Sequence, residues 1–210
     1  MKDSLIRRFW VTTSCALIRL YASVLNRFQV IGVENIPANG GVLIAANHIS
    51  AYDTVFIPVA ILQKHPWQMV WAPAKEELFR NPLIGAIYRS WGAFPVKRGR
   101  DVRAGRHLGD LLQAHKVMLF PEGTRHKDGK LGSGNRGVGK LIYEHHPVVI
   151  PTALSGINRW KFLQAGQQGS IRFGEPIDFS DLFELEDIKT THLLIVERLM
   201  SAIASELIAS

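Results

Sequence analysis

The residues best suited to chemistry are His48 and Asp53, in the run Asn47-His48-Ile49-Ser50-Ala51-Tyr52-Asp53. An imidazole beside a carboxylate can lift a proton from an alcohol. The carboxylate orients the ring and stabilises its charged form while the other ring nitrogen takes the proton. Five positions apart on a continuous helix, the two side chains would point roughly 140° away from each other, at 3.6 residues per turn. They meet only if the chain bends between them, and Ser50-Ala51 offers a place for that bend. The competing reading is that Asn47 and Asp53 cap the start of a helix and His48 is a satisfied polar residue.

A second stretch is Phe120-Pro121-Glu122-Gly123-Thr124-Arg125. Glycine lets a backbone approach a ligand closely, Thr124 offers a hydroxyl, and Arg125 carries a planar fork matched to phosphate. The same residues also fit a surface turn with a solvated arginine. Arg98 follows a different strand end, so two arginines and a His–Asp pair could converge beyond the carboxyl ends of a sheet.

These residues need positioning elements. The apolar run 41–46 is of the buried-strand kind, and 54–62 is helical. Further strands are expected over 28–33, 68–72, 93–96, 117–120, 148–150 and 170–173, the last of them. Residues 75–91 divide at Asn81-Pro82 into two short helices, and helices are expected over 101–115 and 136–145. Strands alternating with helices define an α/β fold: a mixed, largely parallel central sheet flanked by helices, with an N-terminal amphipathic helical element. The expected division is residues 1–27 as that element and 28–210 as the α/β domain.

The chain has 210 residues, 47% hydrophobic and 20% charged, with a formal charge of +7. That size fits one domain with a small appended element. The single cysteine, Cys15, excludes an internal disulfide and a thiolate metal site built by cysteine alone. His107, His115, His126, His145 and His146 show no metal-ligand spacing with partners and read as surface residues; no metal is expected. Positive charge crowds the first half of the chain, which suits an anionic partner. Only ten uncharged residues lie between Arg8 and Arg19, far short of the roughly 20 that cross a bilayer. On a helix, Ile6, Trp10, Leu17, Leu20, Val24 and Phe28 share one face. Such a helix either lies on an anionic membrane surface or packs that face onto the domain.

The motif residues carry a resemblance. The run 47–53 resembles the NHxxxxD motif of glycerolipid acyltransferases, and Phe120 to Arg125 resembles their FPEGTR motif, about seventy residues on. Gly92-Ala93-Phe94-Pro95-Val96-Lys97-Arg98 resembles the intervening motif, and Val149-Ile150-Pro151-Thr152 the fourth. The best-known members are 1-acylglycerol-3-phosphate (lysophosphatidate) acyltransferases. The resemblance implies an O-acyltransferase with His48 as general base and Asp53 holding its ring, worth about 10²–10⁴-fold for such a base. It implies that Glu122, Gly123, Thr124 and Arg125, assisted by Arg98, bind the acceptor's phosphate and glycerol, and that Pro151 shapes the donor side. Asn47 and Ser50 are further candidates, and Lys75 either faces substrate or is a plain surface lysine.

The partners so implied are acyl-CoA or acyl-carrier protein as co-substrate, a lysophospholipid acceptor and an anionic membrane surface, with no nucleic acid and no further cofactor. Attachment would be peripheral or monotopic, at the cytoplasmic face. One departure is Asn135-Arg136, where relatives often carry Phe-Lys. The alternatives are the same mechanism on another lysolipid or a glycolipid, or a non-catalytic lipid-binding relative.

Overall fold

The computed structural model describes residues 4–97, 102–161 and 163–209. Its centre is a seven-stranded sheet built from β1 (Arg27–Ile31), β2 (Val42–Ala46), β3 (Val70–Lys75), β4 (Ala93–Val96), β5 (Lys116–Leu119), β6 (Val148–Ser155) and β7 (Gln168–Phe173). The spatial order is β1-β7-β6-β2-β5-β3-β4. Every pairing is parallel except β6–β7, giving the mixed, mostly parallel sheet that the sequence predicts.

The helices are α1 (Leu5–Val24), α2 (Asp53–Leu62), α3 (Pro82–Ser90), α4 (Val102–Leu112), α5 (Arg136–His145), the one-turn α6 (Ser180–Phe183) and α7 (Lys189–Ile208). The crossover from β2 to β3 moves one way along the sheet, and those from β4 to β5 and β5 to β6 move the other. Right-handed crossovers therefore put α2 on one face and α4 and α5 on the opposite face. All five residues of β2 are buried, because helices cover the sheet on both sides.

α2 is buried almost all round, from Phe56 to Leu62, so it needs a further cover. α1 supplies it through Val11, Cys15 and Ala22. Cys15 lies on this packed face, only 2% exposed, and burial pushes its thiol up to about 12. The face picked out by periodicity is the other one: Ile6, Trp10, Leu17, Leu20 and Val24 are all exposed. Phe28 is not part of it. The helix ends at Val24, and Phe28 sits in β1 with its ring 4.6 Å from Phe56.

Several boundaries differ from expectation. The segment before α3 is a 3₁₀ turn (Glu76–Phe79), and Asn81 caps α3 by accepting from the Leu83 and Ile84 amides. β6 does not stop near Pro151; it runs on to Ser155, since β7 pairs with it from Thr152 onward. Asp101 lies outside the described residues. The long α7 follows the acidic segment and packs Ile195, Val196, Leu199 and Ile203 inward, against α5 and β6.

Candidate active site

The strand β2 delivers the first motif to the carboxyl edge of the sheet. Asn47 is fully buried, and its side chain replaces the next rung of the ladder. Its Nδ2 donates to the Leu154 carbonyl at 3.0 Å, and its Oδ1 accepts from the Leu154 amide at 2.7 Å. Asn47 therefore does not cap α2; it ties the end of β2 to β6 and fixes where His48 leaves the sheet.

Between Asn47 and α2 the chain is irregular over residues 47–52, and this is the bend that the pair requires. Asp53 is the first residue of α2 and is fully buried. Its Oδ2 accepts from three donors: His48 Nδ1 at 2.8 Å, the Ile49 amide at 2.7 Å and the Ser50 amide at 2.7 Å. The N-cap residue Tyr52 makes no side-chain capping bond; the carboxylate instead gathers the loop that precedes its own helix. A carboxylate can only accept, so Nδ1 carries the hydrogen and Nε2 keeps the lone pair. No hydrogen bond among the described residues engages Nε2. Ser50 is buried, and its hydroxyl accepts from the Tyr52 amide at 3.2 Å.

The second motif closes over the first. Phe120 stacks on the His48 ring, centroids 4.0 Å apart and planes 15° from parallel. The Glu122 side chain is 1% exposed. Its Oε1 accepts from the His48 amide at 2.7 Å and its Oε2 from the Gly132 amide at 2.6 Å. The His126 amide donates to the His48 carbonyl at 2.7 Å, and His126 Nε2 lies 3.4 Å from Glu122 Oε2. Glu122, one of the residues expected at the acceptor's phosphate and glycerol, lies behind His48 with both side-chain oxygens engaged. Both its oxygens hold backbone amides, and a buried anion would repel a phosphate. His126, expected at the surface, keeps 34% of its side chain exposed, and it joins the site mainly through its backbone amide.

Gly123, Thr124 and Arg125 are exposed beside this clamp. Gly123 has φ +66° with open space where a Cβ would be, so the turn needs a left-handed residue and leaves room above it. Lys75 ends β3, exposed, at the same carboxyl edge. Pro151 lies buried within β6 opposite Ala45, and its carbonyl accepts from the Gly174 amide at 2.8 Å. Arg98 lies outside the described residues. Asn135 caps α5 through the Gly137 amide at 2.7 Å, and its own amide donates to the Pro121 carbonyl at 2.8 Å. At the departure Asn135-Arg136, the asparagine side chain serves as the cap of α5, while the tie to the loop of the second motif is made by its backbone amide. Among the described residues no group of three His, Cys, Asp or Glu side chains could hold a metal ion.

An α/β sheet with an oriented His–Asp couple at its carboxyl edge and an exposed Gly-Thr-Arg turn beside it defines a class by its chemistry: a ring nitrogen able to accept a proton next to a turn whose arginine suits an anion. A family model described as Acyltransferase matches residues 27–155, from the start of β1 to the end of β6. The chain belongs to this acyltransferase family. A Bacillus subtilis protein named 1-acyl-sn-glycerol-3-phosphate acyltransferase is 30% identical over 173 residues, covering 80% of this chain and 82% of the relative. A Streptococcus pneumoniae protein of the same name is 26% identical over 185 residues, 86% of this chain and 67% of the relative. The crystal structure of the 1-acyl-sn-glycerophosphate (LPA) acyltransferase PlsC from Thermotoga maritima superposes with a TM-score of 0.64 at 21% identity, covering 92% of this chain and 80% of the other. It shares the fold.

Proposed function

We propose that the chain moves a fatty acyl group from a thioester, of CoA or acyl-carrier protein, to the free hydroxyl of a 1-acylglycerol 3-phosphate at a membrane surface. The observation that carries this reading is the 2.8 Å contact of His48 Nδ1 with the buried Asp53, which leaves Nε2 as the base. Nε2 takes the hydroxyl proton as the alcohol oxygen bonds to the thioester carbonyl carbon. Asp53 faces the ring that becomes positive. When the tetrahedral adduct collapses, the C–S bond breaks and the departing sulfur takes the proton from the imidazolium. The thioester carries its own leaving group, so no enzyme nucleophile is needed.

The acceptor's phosphate falls to Arg125 and Thr124, with Gly123 giving access and Arg98 assisting. Glu122 is a positioning residue that holds the His48 backbone. The names of the Bacillus and Streptococcus relatives support the acceptor. Membrane association is supported by apolar surface on two helices. α1 exposes Leu5, Ile6, Phe9, Trp10, Leu17, Leu20 and Val24, and α3 exposes Leu83, Ile84 and Ile87. The helices are joined where Arg7 Nε donates to the Ser90 carbonyl at 2.9 Å and Trp10 Nε1 to Ser90 Oγ at 3.1 Å. Arg19 and Arg89 are exposed on the same two helices, as a helix lying on anionic lipid requires. No helix among the described residues is long and apolar enough to cross a membrane.

The test is thiol release from acyl-CoA in the presence of lysophosphatidate. His48→Ala should lower turnover by about 10²–10⁴-fold without loss of fold; unchanged turnover ends the base assignment. A panel of lysolipid and glycolipid acceptors, run with one labelled donor, decides the acceptor.

A further inference from the structure

Beside the motif loops, at the same edge of the sheet, lies an open hollow of about 750 Å³ to which no role has been given. Its walls come from the start of β1, the end of β6 and the loop that leads into β7. They carry three cations, Arg27, Arg159 and Lys161, and no aspartate or glutamate among the described lining residues. No ion pair among the described residues engages these three. The topology explains the placement. β6 runs parallel to β2, so both end at one edge; β7 runs antiparallel to β6 and β1 parallel to β7, so both begin there.

The hollow is joined to the chemical site through the backbone. Asn47 clamps Leu154, and the next two residues, Ser155 and Gly156, already line the hollow. Asn158 Nδ2, next to Arg159, donates to the Lys127 carbonyl at 3.0 Å, just past Arg125. From β2 to β7 is two strand spacings, about 10 Å. The volume lies within the usual range for a small-molecule site, about 300–1,000 Å³.

An acyl thioester must lie with its sulfur ester at His48 Nε2. Its acyl tail belongs on the apolar side and its water-soluble handle away from it. We infer that this hollow binds the phosphorylated end of the acyl donor's carrier, the nucleotide phosphates of CoA, through Arg27, Arg159 and Lys161, while the pantetheine arm spans the gap to His48. The inference rests on the acyl-transfer reading above. A phosphate monoester and a diphosphate are dense anions, and guanidinium groups bind them with charge-assisted, often two-point hydrogen bonds.

The experiment is calorimetric titration of the full chain with free CoA, dephospho-CoA and pantetheine, none of which requires turnover. Affinity should fall in that order, and rising salt should weaken CoA binding but not pantetheine binding. The Arg159→Gln/Lys161→Gln double variant changes two exposed side chains and should keep its fold. It should bind CoA about 100-fold more weakly, about tenfold per cation, with pantetheine affinity unmoved. The KM for acyl-CoA should rise by a similar factor while the acceptor's KM stays put, and Arg159→Lys should recover part of the loss. An unmoved CoA affinity overturns the inference. So does a variant that loses affinity for phosphatidylglycerol vesicles but keeps CoA, which would make the hollow a lipid-headgroup seat. Wild-type turnover is scored separately: CoA bound as expected without any acyl transfer refutes the proposed reaction, and acyl transfer with CoA binding indifferent to the cations refutes only the hollow.

Discussion

Replacing Glu122 by glutamine tests whether this carboxylate positions His48 or binds the acceptor. The carboxylate accepts from two backbone amides, those of His48 and Gly132, with its side chain 1% exposed. Glutamine keeps one acceptor and places an NH₂ against the other amide. One bond is lost and leaves a buried donor, at about 2 kcal/mol; the surviving bond falls from charged to neutral, at about 1 kcal/mol. The sum, about 3 kcal/mol, is well below the roughly 5–15 kcal/mol that holds a typical domain. The variant should therefore fold, with a midpoint lowered by about 10 °C for a chain of this size. The displaced loop carries the His48 backbone, and a shift of about 1 Å at a reacting group can cost about 10²-fold in rate. Thermal melts and thiol-release kinetics check this. The expected pattern is a lower midpoint and a lower kcat with an unchanged KM for the phosphorylated acceptor. A raised acceptor KM at full kcat and an unmoved midpoint would refute the positioning argument and return Glu122 to the phosphate.

Three further outcomes are expected. Asn47→Ala leaves both backbone groups of Leu154 without their partners and should cost about 3 kcal/mol, read as a fall in the denaturation midpoint together with loss of turnover. Leu17→Glu and Leu20→Glu, on the exposed face of α1, should each weaken vesicle flotation by about tenfold, since burying a leucine side chain is worth about 1.5–3 kcal/mol; equal flotation of both variants and wild type would remove α1 from the lipid contact. Cys15 titrates at about 12 in the folded chain against a reference of 9.0, so between those values the unfolded chain gives up a proton that the folded chain keeps. Stability should fall as pH rises through that window, and Cys15→Ala should show a shallower fall in denaturant midpoints from pH 8.5 to 10.5.

Acid should act through His65, whose imidazole burial and the nearby Lys116 hold below its usual range. Below that range's upper end the unfolded chain binds a proton that the folded chain refuses, so stability falls as pH drops. His65→Gln should flatten this limb of the pH–stability profile; an identical slope would exclude His65 as its source.

Much of this protein was legible in the chain alone. The uninterrupted apolar run of β2 and the short runs of β5 and β6 announced a covered, mostly parallel sheet, because buried strands need no polar face. The two motifs identified the groups fit for proton transfer and anion binding, since those are properties of side-chain type. The surface-facing stripe of α1 followed from helical periodicity, but periodicity could not tell that a second face, through Val11, Cys15 and Ala22, would cover α2. What each motif residue touches depended on contacts distant in sequence. Asn47, for which a helix cap was the competing reading, is a rung to Leu154; Glu122, expected at the substrate, has both oxygens on backbone amides; His126, expected at the surface, also donates its backbone amide to the His48 carbonyl. The strand β7 was expected over 170–173, but its antiparallel pairing with β6, which brings Arg27 and the loop before β7 to the same edge as His48, left no local mark. Residue type fixes which chemistry is available, whereas the direction of a side chain is set by the packing of strands and loops that the linear order keeps far apart.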